Sequence, residues 1–129
     1  MKREYPNMQY WLSCTLRDAQ TLSDGSPISK VVELVCNNKQ TIALGFNCIP
    51  LELASPALEH LRTLTSMPLI IYPNSGEQWD ASQNQWYGER SEGQHLAELV
   101  RDWHSKGALL IGGCCRMSAS DIATIRHSL

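Results

Sequence analysis

The sequence predicts an α/β fold built from four βα units whose strands run parallel. Two observations support this fold class. Four short apolar runs are too short for helices but suit buried strands, and each is followed by a stretch with helical periodicity. Strand and helix alternating four times is typical of a parallel sheet. The predicted strands cover residues 10–16, Thr41–Asn47, Leu69–Tyr72 and Ala108–Ile111.

A serine followed by a proline marks the predicted start of the first two helices. Ser26 is the expected N-cap of the first helix with Pro27 at its first position, and Ser55 and Pro56 give the second helix the same signal. Their apolar residues recur every three or four positions, so each helix has one apolar face. These faces comprise Ile28, Val31, Val32 and Val35 in the first helix and Leu58, Leu61 and Leu64 in the second.

The last two helices carry clearer signals at their ends. Gly107 is a suitable C-terminal stop for the third helix, and Ser118 with Asp121 three residues later predicts a capping box at the start of the fourth. The buried stripe expected of the third helix consists of Leu96, Leu99, Val100 and Trp103.

Length and composition limit the possible classes of protein. With 129 residues, 43% of them hydrophobic and 19% charged, the chain is expected to form one globular domain over residues 1–129. A net charge of -2 gives no electrostatic reason to expect nucleic acid or an anionic membrane as partner. We find no apolar stretch of membrane-spanning length and no apolar core of a signal peptide near the N-terminus, so a cytoplasmic location is expected.

The cysteines are the most informative residues of the chain. Cys114 and Cys115 are adjacent, and a disulfide between neighbouring cysteines is strained. Five cysteines without a secretory signal favour reduced thiols or metal ligands, and Cys48 offers a third thiol directly after another apolar run. Three thiolates on a tetrahedral zinc ion leave one position open, which is typical of a catalytic site. The sequence therefore predicts a zinc centre made by these three residues.

The predicted site lies where ligands bind in parallel α/β folds. Cys48 and the Cys114–Cys115 pair each follow the carboxyl end of a strand, which is where such folds place their active sites. A complete eight-stranded barrel takes about 250 residues, so four units in this chain suggest one half of a barrel. The longest connection, residues 73–91, carries Trp79, Trp86 and Tyr87, and loops of this length are often functional.

The remaining candidates each have a structural alternative. Asn47 and Asn74 are candidate contacts to the amino acid group of a substrate, but asparagine at such turns also satisfies its own backbone. Glu77 and Arg116 are weaker candidates, and the three aromatic residues of the long connection either line a donor pocket or anchor the loop. The other residues weighed are Cys14 and Cys36, expected to fill the core, and His60, His95, His104 and His127, expected on helix surfaces.

Three motifs give the chain a family resemblance. Gly45-Phe-Asn-Cys48, Tyr72-Pro-Asn-Ser-Gly-Glu77 and Gly112-Gly-Cys-Cys-Arg116 resemble the last three strand-end motifs of the zinc-dependent homocysteine S-methyltransferases. The second motif favours the branch that uses S-methylmethionine or S-adenosylmethionine. The resemblance runs from about residue 11 to the C-terminus and implies that Cys48, Cys114 and Cys115 are the zinc ligands. Family members are roughly twice as long, and the half that carries acidic contacts to the amino acid has no counterpart here.

The resemblance implies methyl transfer from a sulfonium donor to homocysteine, giving methionine. Coordination to zinc deprotonates a thiol that is otherwise mostly protonated at neutral pH. The alternative is a non-catalytic half-barrel fragment that keeps the fold and the zinc site. Because four parallel strands leave two open sheet edges, either a homodimer or association with an N-terminal half is expected.

Overall fold

The computed structural model of the chain describes residues 5–129. Its elements alternate between strand and helix, apart from one inserted hairpin. In chain order they are β1 (Tyr10–Cys14), α1 (Ile28–Val35), β2 (Thr41–Asn47), α2 (Leu51–Leu64), β3 (Leu69–Tyr72), β4 (Gln78–Asp80), β5 (Gln85–Tyr87), α3 (Gly93–Ser105), β6 (Ala108–Ile111) and α4 (Ala119–Ser128).

Four strands form one parallel sheet in the order β1-β2-β3-β6. Each strand therefore pairs with the next parallel strand along the chain, with no reversal of order. A doubly wound sheet reverses its strand order at one point, whereas a (β/α)8 barrel does not. The predicted fold class of four βα units arranged as part of a barrel is confirmed.

The helices cover one face of this sheet, which we call the outer face. Leu69 and Ile71 of β3 point to it and are fully buried, and Leu44 and Phe46 of β2 are 2% exposed. Alternation along a strand sends every second side chain to the same face, which is why these pairs are two residues apart. The helical residues packed against them include Val32, Leu58, Leu61, Leu96, Val100 and Trp103.

The opposite, inner face is apolar and open. Trp11 of β1 is 51% exposed and, with Ile70, Tyr72 and Leu110, lines a concave cavity of about 340 Å³. Within residues 5–129, β1 and β6 each pair along one edge only. Open edges and an open apolar face are association sites in α/β proteins. Among the residues described, we find no helix long and apolar enough to cross a membrane.

Two predicted boundaries near the N-terminus are wrong. β1 ends at Cys14 rather than residue 16, because Leu16 leaves the sheet to form an isolated antiparallel bridge with Leu22. Helix α1 begins at Ile28, so that Pro27 is its N-cap in place of Ser26. Pro27 pairs with Thr21 in a second isolated bridge, which holds it outside the helix.

Helix α2 begins at Leu51, four residues before the predicted start at Ser55 and Pro56. Pro56 lies inside the helix, where it lacks the amide hydrogen that would bond one turn back. The additional turn is retained because it buries Leu51 and Ala54, which are 8% and 0% exposed. Burial of these side chains outweighs the local preference of proline for the first turn.

The last two helices agree with the sequence predictions. Leu96, Val100 and Trp103 are fully buried on α3, Leu99 is partly buried, and Gly107 follows the end of the helix. The capping box of α4 is present, with Ser118 accepting from the backbone of Asp121 and the Asp121 carboxylate accepting from the backbone of Ser118.

The long connection 73–91 contains a hairpin that the sequence analysis did not predict. Strands β4 and β5 pair in antiparallel register, placing Trp79 opposite Trp86 with ring centroids 5.5 Å apart. Asp80 accepts hydrogen bonds from the backbone of Ser82 and Gln83 and so closes the turn. The far end of the connection is tied to α4 by Arg90, whose guanidinium lies 2.5 Å from the Asp121 carboxylate.

Candidate metal centre

Three cysteine thiols meet at the carboxyl edge of the parallel sheet. Cys48 is the first residue after β2, and Cys114 and Cys115 follow β6 by three and four residues. The three Sγ atoms lie within 4.8 Å of one another, and those of Cys48 and Cys115 are 3.5 Å apart. All three side chains are partly buried. The structure therefore brings together the three residues that the sequence analysis selected, although β2 and β6 are not neighbours in the sheet.

The two cysteine turns are joined by the chain that leaves β3, residues 72–75, which we call the bridging segment. On one side, the Cys48 amide donates to the Tyr72 carbonyl at 3.2 Å. On the other, the Cys114 amide donates to the Pro73 carbonyl at 2.9 Å. Because β3 lies between β2 and β6, its continuation is placed to bond both turns at once.

Asn74 and Ser75 complete this connection. The Asn74 side-chain carbonyl accepts from the Cys115 amide at 3.2 Å, and the Asn74 amide donates to Ile49. The Ser75 amide donates to the Cys115 carbonyl at 3.1 Å, and Ser75 is fully buried. Backbone groups held by several bonds cannot drift independently, so the spacing of the three sulfur atoms is fixed by hydrogen bonding rather than by the thiols themselves.

The cysteine turns use unusual backbone conformations. Cys48 has φ 52° and Arg116 has φ 68°, both in the left-handed region that costs a non-glycine residue about 1–2 kcal/mol. Gly113 is required in the second turn because a Cβ there would lie 2.6 Å from the Cβ of Met117. Strain of this kind is concentrated at functional sites, where the surrounding structure maintains it.

A glycine also sets the approach of β2 to β3. A Cβ on Gly45 would lie 1.7 Å from the carbonyl oxygen of Ile70, so no other residue fits without a shift of the strands. This close approach brings the turn at Cys48 within bonding distance of the bridging segment. The glycine of the first motif therefore has a packing role two residues before Asn47 and three before Cys48.

The surroundings of Cys48 disfavour its thiolate form. Burial, followed by the Cys115 and Cys114 thiols, raises the pKa of Cys48 to about 12. Beside the cluster, Arg116 forms an ion pair with Glu77 at 3.3 Å, and hydrogen bonds from Arg116 and Ser75 lower the pKa of the Glu77 carboxyl. A thiolate at Cys48 is therefore disfavoured when no cation is bound, because burial and the neighbouring thiols both oppose its negative charge.

The other candidates have mixed outcomes. Asn47 is partly buried at the end of β2, and Asn74 uses its carbonyl oxygen to hold Cys115, so a substrate role stays a prediction for both. Cys14 packs against the core, and burial raises the pKa of its thiol. The prediction that Cys36 fills the core is wrong, because it lies exposed where α1 ends.

The four histidines lie on helices, as predicted. His95, His104 and His127 are exposed, and His60 is partly buried. Asn74 and Glu77 of the Tyr72–Glu77 motif were predicted as candidate site residues, but the role of residues 72–75 in tying the cysteine turns together was not predicted. The signal for this role was available in the order of the predicted strands, since the motif follows the strand that lies between the other two.

Comparison with known proteins connects this site to one family. A family model described as homocysteine S-methyltransferase matches residues 1–129. A homocysteine S-methyltransferase of Escherichia coli is 47% identical over 122 residues, which is 95% of this chain and 39% of that enzyme. The Bacillus subtilis homocysteine S-methyltransferase YbgG is 40% identical over 123 residues, again covering 95% of this chain and 39% of the relative.

Solved structures show the same relationship in three dimensions. The metallated form of the homocysteine methyltransferase MmuM from Escherichia coli superimposes with a TM-score of 0.80 at 42% identity, covering 99% of this chain and 38% of that structure. Its apo form gives the same TM-score at 41% identity and 42% coverage of that structure. The chain thus spans about two fifths of the length of the relatives that it matches.

Proposed function

The chain belongs to the homocysteine S-methyltransferase family, and we propose that it contributes the metal-binding part of such an enzyme. The reaction proposed is transfer of a methyl group from S-methylmethionine or S-adenosylmethionine to homocysteine, giving methionine. Cys48, Cys114 and Cys115 are the proposed zinc ligands. The observation that carries the proposal is the convergence of their three Sγ atoms within 4.8 Å.

The spacing of the sulfur atoms supports zinc. Zinc–sulfur bonds of about 2.3 Å in tetrahedral geometry separate neighbouring sulfur atoms by about 3.8 Å. The observed separation of 3.5 Å between Cys48 and Cys115, with all three sulfurs within 4.8 Å, differs from this by less than a side-chain adjustment. Three cysteine ligands also leave the fourth position of a tetrahedral ion for a substrate, as in catalytic zinc sites.

Zinc, when bound, lowers the pKa of a coordinating thiol, so the thiolate is available near neutral pH. In the proposed reaction, the bond between the donor sulfonium sulfur and its methyl carbon breaks while a bond from the homocysteine sulfur to that carbon forms. The donor leaves as a neutral thioether and the homocysteine thiol proton passes to solvent. A neutral leaving group needs no strong general acid, so alignment of the two sulfur atoms is the main requirement on the protein.

The chain's own residues provide part of this alignment. The bridging segment fixes the two cysteine turns, and the Asn74 carbonyl holds the Cys115 amide. The side-chain amide NH₂ of Asn74 and the side chain of Asn47 are proposed to contact the amino acid group of homocysteine. Asn47 ends β2 directly before Cys48, and Asn74 follows β3, the strand between β2 and β6, so both lie at the same edge of the sheet as the thiols, which supports this assignment.

The rest of the site is proposed to come from further βα units. Support comes from the open inner face, where Trp11 is 51% exposed, and from the free edges of β1 and β6 in the part of the chain described. An N-terminal half-barrel would cover both, and a homodimer is the second arrangement considered. A cytoplasmic setting suits the proposal because all five cysteines are free thiols and three of them must stay reduced to bind zinc.

A second candidate function is a non-catalytic half-barrel that keeps the fold and the zinc site. The open inner face of the sheet, where Trp11 is 51% exposed, favours it, because the described residues leave that side of the site uncovered. The two candidates share the metal site and differ in activity. Experiments on metal binding and on activity therefore test separate parts of the proposal.

Metal binding is tested by measuring zinc in reduced, purified protein by plasma mass spectrometry. We expect about one zinc ion per chain and loss of most of it in Cys48→Ser or Cys114→Ser. Cys36→Ser is the matched control because this cysteine is exposed and remote from the cluster, and it should retain zinc. Full zinc occupancy in a triple serine variant of the three clustered cysteines would overturn the assignment.

Activity is tested as methionine formation from homocysteine with either donor. The zinc-loaded chain alone is expected to show little turnover, because misplacement of a substrate by 1 Å costs about a hundredfold in rate. Addition of the N-terminal half of a related enzyme should raise the rate, and Cys115→Ser should abolish the increase. No increase with a properly folded complementing half would favour the non-catalytic alternative.

A further inference from the structure

The hairpin in the long connection encloses a cavity beside the thiol cluster. Its volume is about 310 Å³, at the lower end of the range for small-molecule sites. Trp79 and Trp86 line it from the hairpin, and Glu52 and Glu77 line it from α2 and from the loop before β4. The cavity thus combines aromatic rings with carboxylates, which neither the metal site nor the inner face does.

The two tryptophan rings that line the cavity suit a compact cation better than a flat aromatic ligand. The planes of Trp79 and Trp86 are tilted by 58° with centroids 5.5 Å apart, so no parallel slot exists between them for a stacked aromatic ligand. A compact cation can instead contact the electron-rich face of a ring, and tryptophan gives the strongest such contacts. Trp79 is 49% exposed, which leaves its ring available to a ligand.

The charge of the cavity also favours a cation. Glu52 is exposed in the first turn of α2, where its carboxylate offsets the positive end of the helix dipole. Glu77 is deprotonated, because hydrogen bonds from Arg116 and Ser75 lower the pKa of its carboxyl. Arg116 neutralises part of the Glu77 charge, so Glu52 supplies most of the net negative charge at the cavity.

Three short connections join the cavity to the cysteine turns. Pro50, which lines the cavity, is two residues from Cys48. Asn74, which also lines it, accepts the hydrogen bond from the Cys115 amide, and Glu77 pairs with Arg116, the residue after Cys115. A ligand in the cavity is therefore held by the same segments that position the thiols.

We propose that this cavity is a binding site for a methylated onium cation, held between Trp79, Trp86 and the Glu52 carboxylate. The role of this cavity as the docking site of the sulfonium donor rests on the proposed function. Binding of the cation itself does not depend on zinc. The hairpin is then a ligand-binding element, which explains why a polar surface loop carries a tryptophan pair of which Trp79 is half exposed.

The experiment compares ligands that differ in one methyl group and one charge. Tryptophan fluorescence of the full chain is titrated with S-methylmethionine, with methionine as its uncharged thioether counterpart, and with trimethylsulfonium. We expect saturable binding of both sulfonium ions and at least fivefold weaker binding of methionine. Trp79→Ala should weaken sulfonium binding about two- to fivefold, in line with exposed cation–π contacts. Glu52→Gln should weaken binding and reduce its dependence on salt.

Matched controls separate the cavity from the rest of the molecule. Trp11→Ala removes a tryptophan of similar exposure on the inner face, and Glu59→Gln removes an exposed charge from the same helix as Glu52. Both should bind trimethylsulfonium as the unchanged protein does. The titration is repeated in Cys114→Ser, where sulfonium binding should persist even if zinc is lost.

The outcomes distinguish the two proposals. Equal binding of methionine and S-methylmethionine, or unchanged sulfonium affinity in both Trp79→Ala and Glu52→Gln, would overturn the cation site while leaving the zinc assignment intact. Sulfonium binding by the unchanged protein together with a failure of that protein to take up zinc would support the cation site and contradict the zinc assignment. Circular dichroism of each variant checks that the fold is retained, and Glu52→Gln provides a test that leaves the hairpin unaltered.

Discussion

The two faces of the parallel sheet differ in how they are covered. On the outer face, Leu69 and Ile71 are fully buried under the helices, and the core continues through α2 and α3 to Trp103, which is also fully buried. On the inner face, Trp11 is 51% exposed above an open cavity of about 340 Å³. One face has a complete core, and the other resembles an interface without its partner.

The difference shows which parts of the fold depend on this chain alone. Burial on the outer face accounts for the packing of the helices and thereby holds the strands in place. The cysteine turns lie at the edge between the two faces and are fixed by the bridging segment. The described residues therefore position three thiols without a complete barrel, whereas they leave the inner face open.

The largest expected effect is a loss of stability when the outer core is truncated. Leu61→Ala removes a fully buried side chain from α2 and should lower the free energy of unfolding by about 2–5 kcal/mol. Leu34→Ala is the control, since Leu34 lies on α1 and is 79% exposed, and should change it by less than about 0.5 kcal/mol. Urea denaturation measures both, and similar losses would show that the outer face is not the principal core.

A smaller loss of stability is expected where β2 and β3 approach each other closely. Gly45→Ala places a Cβ 1.7 Å from the Ile70 carbonyl oxygen, so β2 and β3 must separate locally. We expect destabilisation of about 1–3 kcal/mol, as for overpacking in cores, and weaker binding of the proposed zinc ion because the Cys48 turn moves from the bridging segment. Denaturation and zinc analysis of the same sample measure the two effects. Unchanged zinc binding would show that the spacing of β2 and β3 does not control the geometry of the thiols.

Asp121, which pairs with Arg90 at the start of α4, is expected to make the free energy of unfolding depend on pH. Burial alone would raise the pKa of Asp121, but hydrogen bonds from Ser118 and the charge of Arg90 outweigh it and lower the pKa below its usual value. A carboxyl with a lowered folded-state pKa contributes stability above its unfolded pKa of about 3.9, and this is lost as the pH falls through the folded value.

Asp121→Asn should therefore cost about 1 kcal/mol at pH 7 and less at pH 3. The difference in urea midpoint between the variant and the unchanged protein, followed from pH 7 to pH 3, isolates Asp121 from the other carboxyls. A difference that does not shrink as the pH falls would mean that the charge of Asp121 does not stabilise α4.

The smallest effect on stability is expected on the inner face. Trp11→Ser should lower the free energy of unfolding by no more than about 1 kcal/mol, because half of the Trp11 side chain is already exposed and its removal opens no cavity in the core. The same variant should reduce self-association in sedimentation experiments if inner faces pair with each other. A loss of several kcal/mol would show that Trp11 belongs to a completed core and would remove the contrast between the two faces.

The three thiols of the candidate site could be predicted from the sequence, but the hydrogen bonds that hold them in place could not. Cys48, Cys114 and Cys115 stand out because each follows an apolar strand, and strand periodicity is a local property. The bonds from the bridging segment to both turns join residues more than twenty positions apart, so no local pattern reports them. The hairpin was missed for a related reason, since three-residue strands are too short to show alternation.

By itself, the sequence determined the parallel strands, their order along the chain and the positions of the three thiols at strand ends. The bounds of β2, β3 and β6 agree with the predicted ones because short apolar runs between turn residues specify buried strands locally. The tertiary structure decided that α2 begins at Leu51 and that Cys36 is exposed. Both depend on which surfaces become buried when the helices pack, and burial is a free energy that only non-local contacts provide.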